Sequence, residues 1–238
     1  VAIITNMRTM DTRKIVHEII TDIANGAQIN KVLFKAQIIA SNIGNENFTN
    51  YIRREQQGYT SEYPVADYRH IKTRVEATFA IPFSNMQKVI VPVELVENKQ
   101  IRDLLNFVDV REPLGQIEQM YNNAENSMIR VHVPAFAYST IESLYENNNA
   151  RVYIACHKFP KESLLNIVET FKSRLLQLLL EFDKELDWKL DLSTDQNRQT
   201  VTTIINNINA IIANTGNGNV DTNNINIDND KHAFVGKN

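Results

Sequence analysis

Along the chain, apolar positions first recur every three to four residues and then, from about residue 70, every second residue. The first regime predicts helices and the second strands, because a helix turns once in 3.6 residues and strand side chains alternate faces. Ile15, Val16, Ile19, Ile20 and Ile23 form one helical stripe, with Asp11 as its N-cap and Gly26 as its stop. Ile29, Val32, Leu33, Ala36, Ala40 and Ile43 form a second stripe, ended by Gly44. A third helix is predicted over 46–57, with Phe48, Tyr51 and Ile52 on one side, Arg53, Arg54 and Glu55 on the other, and Gly58 at its end.

After a turn-rich stretch around Pro64, the alternation of Ile71, Thr73, Val75, Ala77, Phe79 and Ile81 predicts one long half-buried strand. Val89, Val91, Val93 and Leu95 alternate too, but Pro92 cannot donate to a ladder, so this run is an edge strand or two shorter pieces. Further strands are predicted at 107–111, 128–133 and 151–157, with helices opening at Pro113 and Pro134. From Pro160, the stripe of Leu164, Val168, Phe171, Leu175, Leu178 or Leu179, Phe182 and Leu186 predicts an amphipathic helix of about 40 Å. Leu165, Leu176 and Leu180 widen the stripe, so the helix is expected to pack on more than one neighbour.

The pattern changes after Leu192, where 193–200 reads as a linker. Residues 201–230 contain ten asparagines among Ile, Val and Thr. Ile204, Ile205, Ile208, Ile211 and Ile212 fall at helical spacing, yet these residue types are mediocre helix formers and the Gly-Asn-Gly-Asn cluster is a turn signal. Short strands are the expectation. Such an arm is too polar to fold alone, whereas asparagines on stacked identical strands can bond in ladders. Ile204, Ile208, Ile211, Asn214, Asn217, Asn219, Val220, Ile225 and Ile227 are therefore expected to assemble copies of the chain into a homo-oligomer.

The expected class is α+β: an N-terminal helical layer, a small, mostly antiparallel sheet with intervening helices, a long amphipathic helix and an Asn-rich arm. Residues 1–10 are set apart as a leader or as added residues, with two alternatives open, further residues before Val1 or a natural start at Met10; 11–192 form the domain, 193–200 the linker and 201–238 the arm.

Composition narrows the function classes. A net charge of −3, from 25 basic and 28 acidic residues, gives no general pull toward nucleic acid, which is not an expected partner, local basic patches aside. No apolar run reaches the roughly 20 residues of a membrane helix, so insertion is not expected. One cysteine in 238 residues points to a reducing compartment, the cytoplasm.

Reactive constellations are sparse. Histidines 17, 70, 132, 157 and 232 offer no helical i, i+4 pair, and neither a metal nor a cofactor is expected. Asp221, Asp228, Asp230 and His232 read as solvated tail residues. Cys156 and His157 are strand neighbours on opposite faces, with Cys156 read as core alongside Val152 and Ile154. Arg151 and His157 match the Arg-x5-His spacing of some helical ribonucleases but lie on a predicted strand, and Asp109 with Glu112 is a coincidence that 28 acidic residues make common. No phosphate-binding glycine loop or nucleophile elbow is present. Tyr59, Tyr63, Tyr68, Pro64 and Arg69 are expected to brace the helical layer on the sheet.

The order Ile-Arg-Arg-Glu-Gln-Gln-Gly-Tyr at 52–59, Pro64, Asp67-Tyr68-Arg69, Ile81-Pro82-Phe83 and Val-Asp-Val-Arg-Glu at 108–112 resembles the AbiTii domain of bacterial abortive-infection proteins, over about 11–186. Glu55, Gly58, Tyr59, Pro64, Tyr68, Arg69, Pro82 and Phe83 carry the likeness. It also extends to a tail with a Gly-Asn-Gly-Asn-Val core, here 216–220. The resemblance implies defence against phage and supplies no catalytic residue. The expectation is a non-enzymatic defence protein that binds a phage or host protein; the alternative is a nuclease-type effector whose site is assembled from distant residues.

Overall fold

A computed structural model describes residues 2–80, 86–145, 150–192 and 194–215. Three helices open the chain: α1 (Ala2–Ala24), α2 (Ile29–Ile43) and α3 (Glu46–Gln57). Helix α1 runs straight through Asp11, so that residue is not a cap, and the segment set apart as a leader continues the first helix. Nothing between Ala2 and Asp11 breaks a helix, since the stretch contains no Gly or Pro. Gly44 caps α2 in the left-handed conformation, with φ 69°, and the Asn45 side chain caps α3 by accepting from Phe48 N–H.

The expected long strand is two. Strands β1 (His70–Lys72) and β2 (Arg74–Ala80) part at Thr73, whose N–H donates to Asn106 O at 2.7 Å. Strand β3 (Gln87–Ile90) follows, and its run ends at Pro92. Next come α4 (Lys99–Asn106), which is not among the expected elements, and β4 (Phe107–Asp109), α5 (Leu114–Asn123), β5 (Met128–His132), α6 (Tyr138–Ser143) and β6 (Arg151–Pro160). Strands β1 and β4 form an antiparallel pair. The other four form one antiparallel sheet in the order β3-β2-β6-β5, with β3 on the edge as Pro92 foretold. Two helices complete the described chain, α7 (Glu162–Glu185) and α8 (Asp195–Thr215).

Among the described residues, the helices that pack on the four-stranded sheet share one of its faces. Toward one end, Val75, Ala77, Phe79, Val152 and Ala155 pack with Leu105 of α4 and Ile141 of α6. Toward the other, Phe159, with Ile129 and Val131 beside it, joins the main core of α1, α2, α3, α5, α7 and α8. Helix α7 is the axis of that core: Leu164, Ile167, Val168, Phe171, Leu175, Leu178, Leu179 and Phe182 are buried along it. Ile71 belongs to the main core and Val75 to the second, so the break at Thr73 is where the chain crosses from one to the other.

The C-terminal segment departs from expectation. Residues 201–215, expected as strand, are helical in α8, and α8 begins at Asp195, inside the supposed linker. Val201, Ile204 and Ile205 are buried in the main core, so Ile204 packs within its own chain. Burying these three side chains contributes about 1.5–3 kcal/mol each, which over the turns 200–205 outweighs the ~0.7 kcal/mol or less that each mediocre helix former there costs. The polar "linker" is equally tied down. The buried Asn197 side chain donates to Asp187 O and Asp191 O, both at 3.1 Å, and accepts from Asp187 N–H. The side chains of Ile208, Ile211 and Asn214, and the whole of Asn217, Asn219, Val220, Ile225 and Ile227, lie outside the described residues.

Candidate functional site

The residues that carry the AbiTii resemblance converge where α3 meets the first strands. Glu55 sits in the last turn of α3, fully buried, at i+7 from Phe48 and i+3 from Ile52. Its position on the apolar stripe overturns its placement on the charged side, and the spacing was present in the sequence. One carboxylate oxygen of Glu55 accepts the hydroxyls of Tyr59 and Tyr68, at 2.5 and 2.7 Å. The other accepts Arg69 Nε at 3.1 Å and Nη2 at 2.6 Å. Arg69, also fully buried, sends Nη1 to Val110 O and Glu112 O, at 3.0 and 2.8 Å. One ion pair thus joins α3, the turn before β1 and the segment after β4.

Aromatic rings close the cluster. The Arg69 guanidinium lies 4.9 Å from the Tyr59 ring, and Arg174 of α7 lies 4.5 Å from that of Tyr68 while holding Asp67 through two hydrogen bonds, at 2.7 and 2.9 Å. Because Tyr68 gives its proton to Glu55, Tyr51 donates to the Tyr68 oxygen at 3.1 Å. Burial, reinforced by the nearby Glu55 charge, pushes the hydroxyls of Tyr51, Tyr59 and Tyr68 well above the ordinary tyrosine range, so all three stay protonated donors.

Gly58 makes the approach feasible. At φ 87° and ψ 176° it adopts a backbone that side chains avoid, and a Cβ there would stand 2.7 Å from Arg111 O. Tyr59 N–H donates to that same oxygen at 2.8 Å. The expected bracing of helical layer on strands is therefore present, carried by Glu55, Gly58, Tyr59, Tyr68 and Arg69. Pro64 is exposed and outside the cluster, Tyr63 is a surface ring beside Arg54, and Pro82 and Phe83 lie outside the described residues. Chemically the cluster is saturated: every strong acceptor faces a fixed donor, and Glu55 has no solvent access to act as a base.

The residues weighed for catalysis do not converge. Arg151 and His157 stand at separate positions of β6, opposite Ala80 and Val75. The strand is bulged where its pairing with β2 shifts between Thr78 and Phe79, which changes the facing of its residues. Val152, Ala155, His157 and Phe159 are buried, while Ile154 and Cys156 are partly exposed, so Cys156 is not the core residue that simple alternation implied. Its sulfur lies 3.8 Å from His132 Nδ1 at the surface. Asp109 is engaged by His70 Nδ1 at 2.7 Å and Arg111 Nη2 at 2.9 Å. Among the described residues no group of three or more His, Cys, Asp or Glu is arranged to hold a metal ion, and Asp221, Asp228, Asp230 and His232 lie outside them.

Among the described residues His157 is the one buried histidine, 3% exposed, with Thr73 Oγ1 at 2.8 Å from Nδ1. Burial lowers its pKa below the usual value of 6.5. The unfolded chain therefore binds a proton near pH 6.5 that the folded chain refuses, and stability falls as pH drops from about 6.5 toward the lowered native pKa. The slope from one such group is at most ~1.4 kcal/mol per pH unit. In urea melts at a series of pH values, His157→Gln should remove this component, so the difference between wild type and variant narrows as pH falls below about 6.5. A difference independent of pH would refute it.

A groove of about 780 Å³ runs between α1 and the chain after α7, lined by Arg13, His17, Lys35, Trp188 and their neighbours. Most of its charges are internally matched. Asp183 accepts from His17 and Arg13, each at 2.9 Å, and Lys35 bridges Glu18 and Asp22 at 2.8 Å. Burial would raise the Asp183 carboxyl, but the bonds from His17 and Arg13 outweigh it and hold it low. Lys14 and Lys189 also line it, exposed and without a carboxylate within salt-bridge distance among the described residues.

No helix among the described residues is long and apolar enough to cross a membrane. Comparisons with curated proteins and with solved structures give no match. The family model AbiTii matches residues 14–208, which takes in the helical layer, both sheets, the Glu55–Arg69 cluster and the buried first half of α8; the chain belongs to the AbiTii family, which points to abortive-infection defence.

Proposed function

We propose that this chain serves abortive infection as a non-enzymatic cytoplasmic protein that binds a phage or host partner and assembles with copies of itself through its Asn-rich C-terminal segment. The observation that carries the binding reading is the pair Phe34 and Ile38 on α2, 61% and 47% exposed and one turn apart, on a helix whose opposite stripe is the main core. Large apolar side chains held outward at i, i+4 give a partner a ready contact. The ionisable residues of the family signature are consumed by structure, which favours binding over chemistry. Assembly rests on residues 216–230, whose asparagines can pair between chains and which follow a helix anchored in the core by Val201, Ile204 and Ile205.

Light scattering on the full chain and on a chain ending at Thr215 tests assembly without cutting the core. The full chain is expected to be a multiple of the truncated one in mass and to protect cells against phage better. Equal masses would end the assembly role of the tail.

A further inference from the structure

The face of the four-stranded sheet turned away from the helices carries a row of cations. In the strand register Arg74 of β2 stands directly opposite Lys158 of β6, and Lys158 directly opposite Arg130 of β5. Like charges so placed destabilise a sheet, and three adjacent strands bring them within about 10 Å of one another at ~4.8 Å per strand. Lys88 of β3 lies on the same face, opposite Thr78. Glu76 is the acid in their midst, bonded to Lys158 at 2.6 Å. That bond holds its carboxyl below the ordinary range, and the charges of Lys158, Lys88 and Arg130 add to the effect. Among the described residues neither Arg74 nor Arg130 has a carboxylate within salt-bridge distance, and both are exposed.

An aromatic ring lies farther along β6, five residues and roughly 16 Å from Lys158. Tyr153 is 65% exposed at the β6 bulge, and its neighbours Val152 and Ala155 are buried in the core under the sheet, which leaves Tyr153 off the core side. Exposed His132 stands opposite Cys156, two residues along β5 from Arg130. A flat sheet presenting cations to phosphates and a ring to a base is a platform for a single nucleic-acid strand, because every base can stack and every nucleotide carries a charge. A second copy of this chain is disfavoured as the occupant, since its own cation row would meet this one.

We propose that this open sheet face binds single-stranded nucleic acid, with Arg74, Arg130 and Lys158 on the phosphates and Tyr153 stacked on a base. The net charge of −3 hid this, because the excess of acid lies elsewhere on the molecule. The inference goes beyond the assembly reading and does not depend on it.

Fluorescence anisotropy of labelled twelve-nucleotide oligouridylate and oligothymidylate, titrated with the full chain, tests it. Binding to either strand is expected, and contact with three or four phosphates should weaken it about 20- to 50-fold between ~50 and ~200 mM salt, at ~0.7 in log–log slope per phosphate. Arg74→Glu with Arg130→Glu should weaken binding at least about tenfold, and Tyr153→Ala by about tenfold. Glu76→Gln should tighten it, a change that damage to the fold would not produce. No binding at low salt, duplex bound as tightly as single strands, or anionic phosphatidylglycerol vesicles bound in place of oligonucleotides would each overturn the proposal. So would a Glu76→Gln variant that binds no better than wild type.

Discussion

Glu55→Ala is expected to destabilise the fold by about 3–5 kcal/mol, the cost of leaving a buried charge without its partner. Arg69 would keep its two carbonyl acceptors but lose the carboxylate that offsets its charge, at 0% exposure for both side chains. The hydroxyls of Tyr59 and Tyr68 would lose their acceptor at the same time, and a buried donor left unsatisfied costs about 1–3 kcal/mol. Urea denaturation measures the loss. The double variant Glu55→Leu, Arg69→Leu should be less damaging than the sum of the two single leucine variants, because replacing both members of a buried pair removes the desolvation cost along with the attraction. A Glu55→Ala protein within about 1 kcal/mol of wild type would mean that the cluster does not hold the layers together.

Phe171→Ala should cost about 3–5 kcal/mol by a different route. Phe171 is completely buried midway along α7, with its ring 5.7 Å from that of Tyr51. Truncation opens a cavity between α7 and α3 beneath the ring whose hydroxyl feeds the Glu55 network. Phe171→Leu keeps most of the volume and should cost well under half as much. Thermal or urea melts of the two variants separate a cavity from a polar defect, since only the cavity scales with the volume removed. Similar losses for Ala and Leu would place the cost in ring-specific contacts with Tyr51.

How much of this was legible depends on how local each signal is. Gly44 and Gly58 as helix stops, the stripe of α7 and the edge position of the Pro92 run are consequences of backbone chemistry within a few residues, and the structure has each of them. Glu55 was misplaced although its i+7 spacing from Phe48 was visible, because a carboxylate on an apolar stripe reads as surface until its partner is known. That partner, Arg69, is 14 residues away and reaches it only after the chain has turned at Gly58.

Cys156 shows the opposite limit. Strict alternation sends it inward, and the bulge in β6 that turns it outward is a property of the pairing with β2. The cation row on the sheet was likewise invisible, since Arg74, Arg130 and Lys158 become neighbours only through strand order and register.

The sequence by itself determined the α+β class, the helix stops, the long core helix and the AbiTii signature, because these rest on periodicity, propensity and short motifs. Tertiary structure alone decided that the strand run from His70 divides at Thr73 between two cores, and that the start of the Asn-rich segment is a core helix. The physical reason is common to both. Local preferences there are worth tenths of a kcal/mol per residue, and burial of Ile71, Val75, Val201, Ile204 and Ile205 against distant elements contributes about 1.5–3 kcal/mol for each side chain.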